Sequence, residues 1–146
     1  MYWYVSCNNY NMRKIAISIQ KGGSGKTTTV YNLAAELAAA GKRVIALDLD
    51  AQSTLTSYAN VPSKNNMAAI FNGSHTIRDI ITTTGSSFDL APGSIDLTVS
   101  ELTLTARIGR ENVLKKALQS IDTLYDIAII DTPPALGLLT INSLAA

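Results

Sequence analysis

The feature that most constrains the fold is a glycine-rich segment at residues 21–28, KGGSGKTT, which follows the apolar run 15–19 and opens an alanine-rich helical pattern. Glycine lets the backbone turn tightly and bring its N–H groups against an anion, and the positive end of the new helix favours negative charge. Strand, glycine loop and helix in this order are typical of a phosphate-binding loop. We expect Lys26 to place its charge on the β- and γ-phosphates and the Thr27 hydroxyl to ligate Mg²⁺. The predicted nucleotide-binding residues are Lys21, Gly22, Gly23, Ser24, Gly25, Lys26, Thr27 and Thr28.

Apolar runs that alternate with helical patterns predict an α/β fold with a doubly wound, mainly parallel sheet. Residues 14–50 form a βαβ unit, for which a right-handed parallel connection is strongly preferred. The predicted strands are 14–19, 43–47, 88–91 and 127–130. The predicted helices are 26–40, 67–71, 77–82, part of 95–107, 110–121 and the end of 135–146.

Three aspartates follow predicted strands, where open α/β sheets collect their ligands. Asp48 and Asp50 flank Leu49, so the two-residue period of a strand directs both carboxylates to one face. Asp131 ends the strand 127–130, the position from which an aspartate holds Mg²⁺ beside a phosphate-binding loop. A solvated turn is the alternative for Asp48 and Asp50, because aspartate is common in turns. Two carboxylates on one face repel unless a cation or donors offset them, and together with Asp131 this favours a magnesium site.

Bulk composition limits the remaining functions. The chain has 146 residues, 47% of them hydrophobic and 16% charged, which suits one globular domain. A net charge of +1 gives no chain-wide attraction to nucleic acid or anionic membrane, so such a partner would need a local patch. Cys7 is the only cysteine, which excludes an internal disulfide and a cysteine metal cluster and favours a reducing cytoplasm. No apolar run approaches the ~18 residues that cross a bilayer.

The first eleven residues lack both the basic start and the apolar centre of a signal peptide. They also lack periodicity, and a strand-like run begins directly after Met12. We therefore expect residues 1–11 to be a flexible extension and Met12 to be the physiological start. The alternative is that Tyr2, Trp3 and Tyr4 form a small aromatic patch that docks on the domain.

The loop KGGSGKTT, with a second lysine at its head, resembles the deviant Walker A loop of the ParA/MinD family of P-loop ATPases. The segment 48–52, DLDAQ, is similar to that family's D-x-D-P-Q motif, and residues 131–146 resemble the ParA branch. The resemblance covers nearly everything from Met12 onward. Gln20 stands where the ordinary phosphate-loop motif has glycine, so the loop is a variant of that motif. The chain departs from the family at Ser24, where valine is more usual, and we expect this change to be harmless. Ala51 and Ser53 replace a common proline and glycine, so we expect a looser segment there.

This resemblance implies an ATPase that converts ATP and water to ADP and phosphate and acts as a dimerisation switch in plasmid or chromosome partitioning. It assigns Asp50 to the attacking water, Asp48 to the outer shell of the metal, and Lys21 to the nucleotide held by a second copy. The implied catalytic residues are Lys21, Lys26 and Asp50, and the implied metal residues are Thr27, Asp48 and Asp131. The implied partners are ATP, Mg²⁺, a second copy, a ParB-like stimulating protein and nonspecific DNA, with a cytoplasmic or nucleoid-associated location.

Other functions remain open at this stage. A MinD-like placement ATPase shares the loop but would need an amphipathic membrane helix, which does not occur before Ala146. The nitrogenase iron protein would need cysteines within the domain, and a metabolic kinase or ligase would need an acceptor site that the polar middle region does not suggest. The family's domain continues beyond the region matched here. We therefore expect either a longer native protein or a truncated fragment that binds a nucleotide or a partner without turnover.

Overall fold

The computed structural model describes residues 2–6 and 12–146, which form one sheet with helices on both faces. The strands are β1 (Tyr2–Ser6), β2 (Arg13–Ser18), β3 (Val44–Asp48), β4 (Thr82–Thr83), β5 (Asp89–Ala91) and β6 (Ile127–Asp131). Their order across the six-stranded sheet is β1-β2-β6-β3-β5-β4. The four inner strands are mutually parallel, whereas β1 and β4 pair antiparallel at the two edges. The predicted doubly wound, mainly parallel sheet is confirmed.

The helices divide into two layers because each inner strand is apolar on both faces. They are α1 (Lys26–Ala39), α2 (Thr54–Tyr58), α3 (Met67–Asn72), α4 (Leu97–Leu104), α5 (Val113–Gln119) and α6 (Leu138–Ala145). On one face, Val30 and Ala34 of α1 and Leu55 of α2 pack with Ala46 and Ile129 of the sheet. The other cluster includes buried residues of β3 and β6 and of the helices α3 to α6, among them Leu47, Ala128, Phe71, Leu97, Leu118 and Leu139.

Most predicted elements form within a residue or two of their expected bounds, but the middle of the chain differs. Residues 77–82 do not form a helix: a 3₁₀ turn at Ile77–Asp79 is followed by β4. The turn begins with a capping box, in which the Thr76 hydroxyl and amide both donate to the Asp79 carboxylate. The two β-branched threonines of β4 then pair with β5. The predicted helix 110–121 likewise begins with a 3₁₀ turn, Arg110–Asn112, before α5. No helix in the described part of the chain is long and apolar enough to span a bilayer.

The N-terminal segment differs from the flexible extension predicted over residues 1–11. Residues 2–6 form β1, which pairs antiparallel with β2 in a register that puts Tyr2 opposite Ser18 and Ser6 opposite Lys14. Aromatic and β-branched residues favour extended backbone, and β2 would otherwise present an open edge. Cys7 and the rest of residues 7–11 lie outside the described residues.

The amino ends of the inner strands are held together by Arg43 and Asp126. The Asp126 carboxylate accepts hydrogen bonds from the Arg43 backbone N–H at 2.8 Å and from its guanidinium at 2.7 Å. The Asp126 carbonyl accepts the Arg13 N–H at 2.9 Å, so the start of β2 joins the same cluster. Hydrogen bonding and charge from Arg43 lower the pKa of Asp126 to about 2. The folded state therefore prefers the ionised carboxylate.

Replacing Asp126 with asparagine should make the stability of the fold depend less on pH in the acid range. The pKa of Asp126 lies below its ordinary value of 3.8, so its contribution is present above about pH 4 and is lost as the pH falls towards 2. Melting temperatures of Asp126→Asn should depend less on pH between about 4 and 2 than those of the wild type. Asp96→Asn removes the same charge without touching Arg43 and serves as the control. Identical slopes for Asp126→Asn and the wild type would contradict this role.

Helix α2 was not predicted, and the residue before it adopts an unusual conformation. Ser53 has φ of 52° and ψ of 36°, in the left-handed region that side chains with a Cβ rarely occupy. The same position is the one where a glycine was expected from the family resemblance. The left-handed conformation costs an L-residue roughly 1–2 kcal/mol, so the chain enters α2 under local strain.

Glycine at position 53 should stabilise the protein. Relief of about 1–2 kcal/mol of strain outweighs the greater freedom of glycine in the unfolded chain. We expect the free energy of unfolding of Ser53→Gly to rise by about 0.5 kcal/mol. Ser57→Gly is the matched control, because it makes the same change inside α2 and should lower that free energy by about 0.5 kcal/mol. Urea unfolding of both variants tests the opposite signs, and a loss of stability in Ser53→Gly would contradict the strain.

Candidate functional site

The glycine loop lines an open cleft of about 460 Å³ at the carboxyl end of the parallel strands. Seven of the predicted nucleotide-binding residues, from Gly22 to Thr28, line it together with Asp50. The other lining residues are Gln52, Thr54, Tyr58 and Pro134. The loop after β2, the segment after β3 and the segment after β6 thus converge on one space, as their positions at one sheet edge predict.

The loop depends on glycine at two positions. Gly23 and Gly25 have φ of 67° and 83°, where a side chain would be strained. Gly25 is also the residue that precedes α1, and its carbonyl accepts the N–H of Thr29 at 2.9 Å. The helix therefore starts inside the cleft and presents the positive end of its dipole to it. Ser24, the predicted harmless replacement, buries an Oγ that has no hydrogen-bond partner among the described residues.

Thr27 and Asp131 connect the loop to the centre of the sheet. The Thr27 hydroxyl donates to Oδ2 of Asp131 at 2.6 Å, although the two residues are 104 positions apart. The loop lysine, Lys26, is only 7% exposed and lines the cleft. The Thr27 hydroxyl, the Asp131 carboxylate and the Lys26 side chain therefore lie at the start of α1.

Asp131 has unused bonding capacity. It is 1% exposed, and its second oxygen, Oδ1, is buried without a hydrogen bond from any described residue. Burial raises the pKa of Asp131 to about 7, and the charges of Asp48 and Asp50 add to this, while the Thr27 hydroxyl and the charge of Lys26 oppose it. A buried carboxylate in this state is stabilised by a cation.

The donor set at the start of α1 fits Mg²⁺. Mg²⁺ takes oxygen ligands and is usually held by one or two protein groups together with water and phosphate oxygens. Thr27 and Asp131 supply two oxygen atoms beside the glycine loop. The described residues contain no group of three or more His, Cys, Asp or Glu that could hold a metal without such help. The site therefore fits a metal that arrives with a phosphate.

The two aspartates after β3 occupy different environments. Asp50 is partly exposed and lines the cleft, and its Oδ1 accepts the N–H of Gln52 at 2.9 Å. Asp48 is fully buried and is not one of the described residues that line the cleft. Its Oδ2 accepts the N–H and hydroxyl of Thr56 at 2.9 and 2.7 Å. The outer-shell metal role of Asp48 stays a prediction, while its contacts are those of a carboxylate that fixes the backbone.

Lys21 is separate from this cleft. It is exposed and does not belong to the described residues that line the space. Its ammonium group is therefore free to lie near another molecule, and the predicted reach to a second copy stays a prediction.

Sequence reasoning missed several lining residues. Gln52 and Pro134 belong to the segments 48–52 and 131–146, whose resemblance to the family indicated that they lie near the site. Thr54 and Tyr58 gave none, because α2 is five residues long and too short for a helical period to show. Thr56, which bonds Asp48 from inside α2, had no signal for the same reason.

Comparisons with known proteins agree with this geometry. Residues 12–146 match the AAA domain family. The chain is 44% identical over 136 residues to the sporulation initiation inhibitor protein Soj of Bacillus subtilis, which covers 90% of the chain and 54% of Soj. It is 41% identical over 138 residues to the chromosome partitioning protein ParA of Myxococcus xanthus, covering 92% and 49% of the two chains. The chain thus spans about half the length of these relatives.

Solved structures show the same fold. Cobyrinic acid a,c-diamide synthase of Mycobacterium smegmatis, solved with a bound ATP analogue and magnesium, has a TM-score of 0.87 and 40% identity, with 90% of this chain and 55% of that one covered. A plasmid partition protein of Borrelia burgdorferi has a TM-score of 0.80 and 28% identity over 89% and 60% of the two chains. The chain therefore belongs to the AAA domain family that matches it, and within it to the ParA/MinD-like P-loop ATPases that its loop and strand-end aspartates predicted.

Proposed function

We propose that this chain carries the nucleotide-binding half of a ParA-like ATPase, which binds Mg-ATP in the cleft and hydrolyses it to ADP and phosphate. The observation that carries the proposal is the Thr27–Asp131 hydrogen bond beside the glycine loop, with the second oxygen of Asp131 buried and unbonded by the described residues. A hydroxyl and a carboxylate held this way next to loop amides form a site for a phosphate-bound divalent cation.

The loop supplies binding and charge neutralisation. Backbone N–H groups at the start of α1 and the buried side chain of Lys26 hold the phosphates, since both favour negative charge. Thr27 and Asp131 would hold Mg²⁺. When bound, that ion neutralises charge on the phosphate oxygens. Phosphoryl transfer needs little covalent chemistry from a protein, so this positioning is the larger part of catalysis.

Asp50 supplies the remaining step. It is the partly exposed acid that lines the cleft, and its carboxylate is oriented by the Gln52 N–H. In this proposal Asp50 orients the attacking water in line with the terminal phosphate. Asp48 lies behind it, where its negative charge adds to that of the metal site.

The biological setting follows from the relatives that are named for partitioning. We propose a role in plasmid or chromosome partitioning, in which ATP drives dimerisation, nonspecific DNA is bound by the dimer, and a ParB-like protein stimulates hydrolysis. A cytoplasmic, nucleoid-associated location goes with that role. Lys21, which is exposed and outside its own cleft, would complete the site of a second copy. A chain that binds nucleotide without turnover is the competing candidate, because the chain spans about half of its relatives.

Mg-ATP binding and turnover by the full chain test the proposal directly. Lys26→Ala should weaken Mg-ATP binding by about 10-fold or more, because it removes a buried charge from the phosphate site. Asp50→Ala should bind Mg-ATP nearly as well as the wild type but hydrolyse it about 100-fold more slowly. Calorimetric binding and phosphate release measure the two effects. Lys42→Ala, at an exposed lysine away from the cleft, is the control.

The results separate the candidates. Binding without turnover by the wild type would favour the nucleotide-binding fragment over the enzyme. Absence of Mg-ATP binding by a folded wild-type chain would contradict both. Equal turnover by Asp50→Ala and the wild type would remove Asp50 from the water-positioning role.

Dimerisation gives an independent test of Lys21. Wild-type chain with Mg²⁺ and a non-hydrolysable ATP analogue should sediment as a dimer, whereas Lys21→Ala should bind the analogue equally well but dimerise about 10-fold more weakly. The expected difference arises because the Lys21 ammonium would contact phosphate only across the interface. Lys42→Ala again serves as the control. Equal dimerisation of Lys21→Ala and wild type would contradict the shared site.

A further inference from the structure

The segment between β3 and α2 is tied at both ends by one buried pair of side chains. Asp48, the last residue of β3, accepts the backbone N–H of Thr56 at 2.9 Å and its hydroxyl at 2.7 Å. The two residues are 0% and 4% exposed. Because both bonds go to a charged acceptor in a dry environment, they fix the distance between the strand end and the helix.

A third element joins this pair. The Thr56 hydroxyl oxygen accepts the N–H of Gly93 at 2.8 Å, so the hydroxyl donates on one side and accepts on the other. A Cβ at Gly93 would lie 2.9 Å from Cγ of Asp48, which explains glycine at that position. Thr56 therefore connects β3, α2 and the loop after β5 through one atom. We call Asp48, Thr56 and Gly93 the threonine clamp.

The segment that the clamp closes carries three residues of the cleft, Asp50, Gln52 and Thr54. Asp50 is coupled to the clamp directly, because its N–H donates to Oδ1 of Asp48 at 3.2 Å. The carboxylate of Asp50 is in turn held by the Gln52 N–H. A chain of hydrogen bonds thus runs from Thr56 through Asp48 to Asp50.

We propose that Thr56 is a positioning residue for hydrolysis: its hydroxyl, acting through Asp48, holds Asp50 in place over the phosphate loop. The inference rests on the proposed function, since it assigns a support to the residue that would orient water. Thr56 does not line the cleft, so it would act on the rate and not on nucleotide affinity.

The hydroxyl is the group that matters in this arrangement. Valine has nearly the same shape as threonine but can neither donate to Asp48 nor accept from Gly93. Its presence would leave a buried carboxylate and a buried N–H each short of a partner. Serine keeps both bonds and loses only a methyl group. Thr56→Val and Thr56→Ser therefore separate the hydrogen bonds from the packing.

The first readout needs no catalysis. In the nucleotide-free chain, amide hydrogen exchange of residues 49–58 should be about 10-fold faster in Thr56→Val than in the wild type and unchanged in Thr56→Ser. Thr84→Val is the matched control. Its hydroxyl is also buried, donates to Phe88 O and accepts from Ser86 N–H, but it lies beyond β4 in the turn before β5. Thr84→Val should leave exchange of residues 49–58 unchanged.

The second readout is a split between binding and rate. Thr56→Val should bind Mg-ATP within about 3-fold of the wild type while its kcat falls about 10- to 100-fold, since a small misplacement of a positioned group has this effect. Thr56→Ser and Thr84→Val should keep kcat within about 3-fold. If Thr56→Val does not fold, Thr56→Ala and Thr56→Ser give the same comparison, because they differ only by the hydroxyl.

The outcomes distinguish the two proposals. Unchanged exchange in the hydroxyl-free variant, equal losses in the serine and hydroxyl-free variants, or a kcat equal to that of the wild type would each overturn the positioning role. A wild-type chain without turnover would overturn the proposed enzyme. The exchange comparison would then still test whether the Thr56 hydroxyl holds residues 49–58 in place. Faster exchange with retained binding and reduced kcat would support both.

Discussion

Asp48 and Asp131 lie side by side on neighbouring parallel strands, and the burial of two carboxylates at one place is the constraint that organises this protein. Their backbones are paired in the sheet and their side chains are 0% and 1% exposed. Like charges in a dry interior are unfavourable unless each finds donors or a cation. The segments that follow the strands supply hydrogen-bond donors to both carboxylates, but they supply more of them to Asp48 than to Asp131.

Both carboxylate oxygens of Asp48 accept hydrogen bonds from the chain, whereas only one oxygen of Asp131 accepts one from the described residues. The donors of Asp48 come from α2 and from its own segment, so its charge stabilises backbone structure. Asp131 has one donor, the Thr27 hydroxyl of the glycine loop, and a buried oxygen that no described residue bonds. This difference distinguishes Asp48, which stabilises the backbone, from Asp131, which can bind a ligand. It arises from neighbours that are distant in sequence, so residue type alone does not distinguish the two.

The sequence allowed prediction of those parts whose signal is local. The apolar strands, the long helix α1 and the glycine loop each follow from runs or spacings within some fifteen residues, and the strand-end aspartates follow from parallel topology. Helix α2 and strand β4 are five and two residues long, and tertiary bonds from Asp48 and β5 determine them. Strand β1 forms at an edge that β2 offers, which no pattern within residues 2–6 reveals. Thr56 could not be predicted from the sequence, because its role depends on hydrogen bonds with Asp48 and Gly93, which lie elsewhere in the chain.

Ser53 and Thr56 act on the same short segment in opposite directions. The left-handed backbone of Ser53 destabilises the segment by roughly 1–2 kcal/mol. The clamp stabilises the same segment through two hydrogen bonds to the Asp48 carboxylate, each worth about 1.5–3 kcal/mol. The two bonds together outweigh the strain, so tertiary contacts maintain a backbone conformation at Ser53 that a serine rarely adopts.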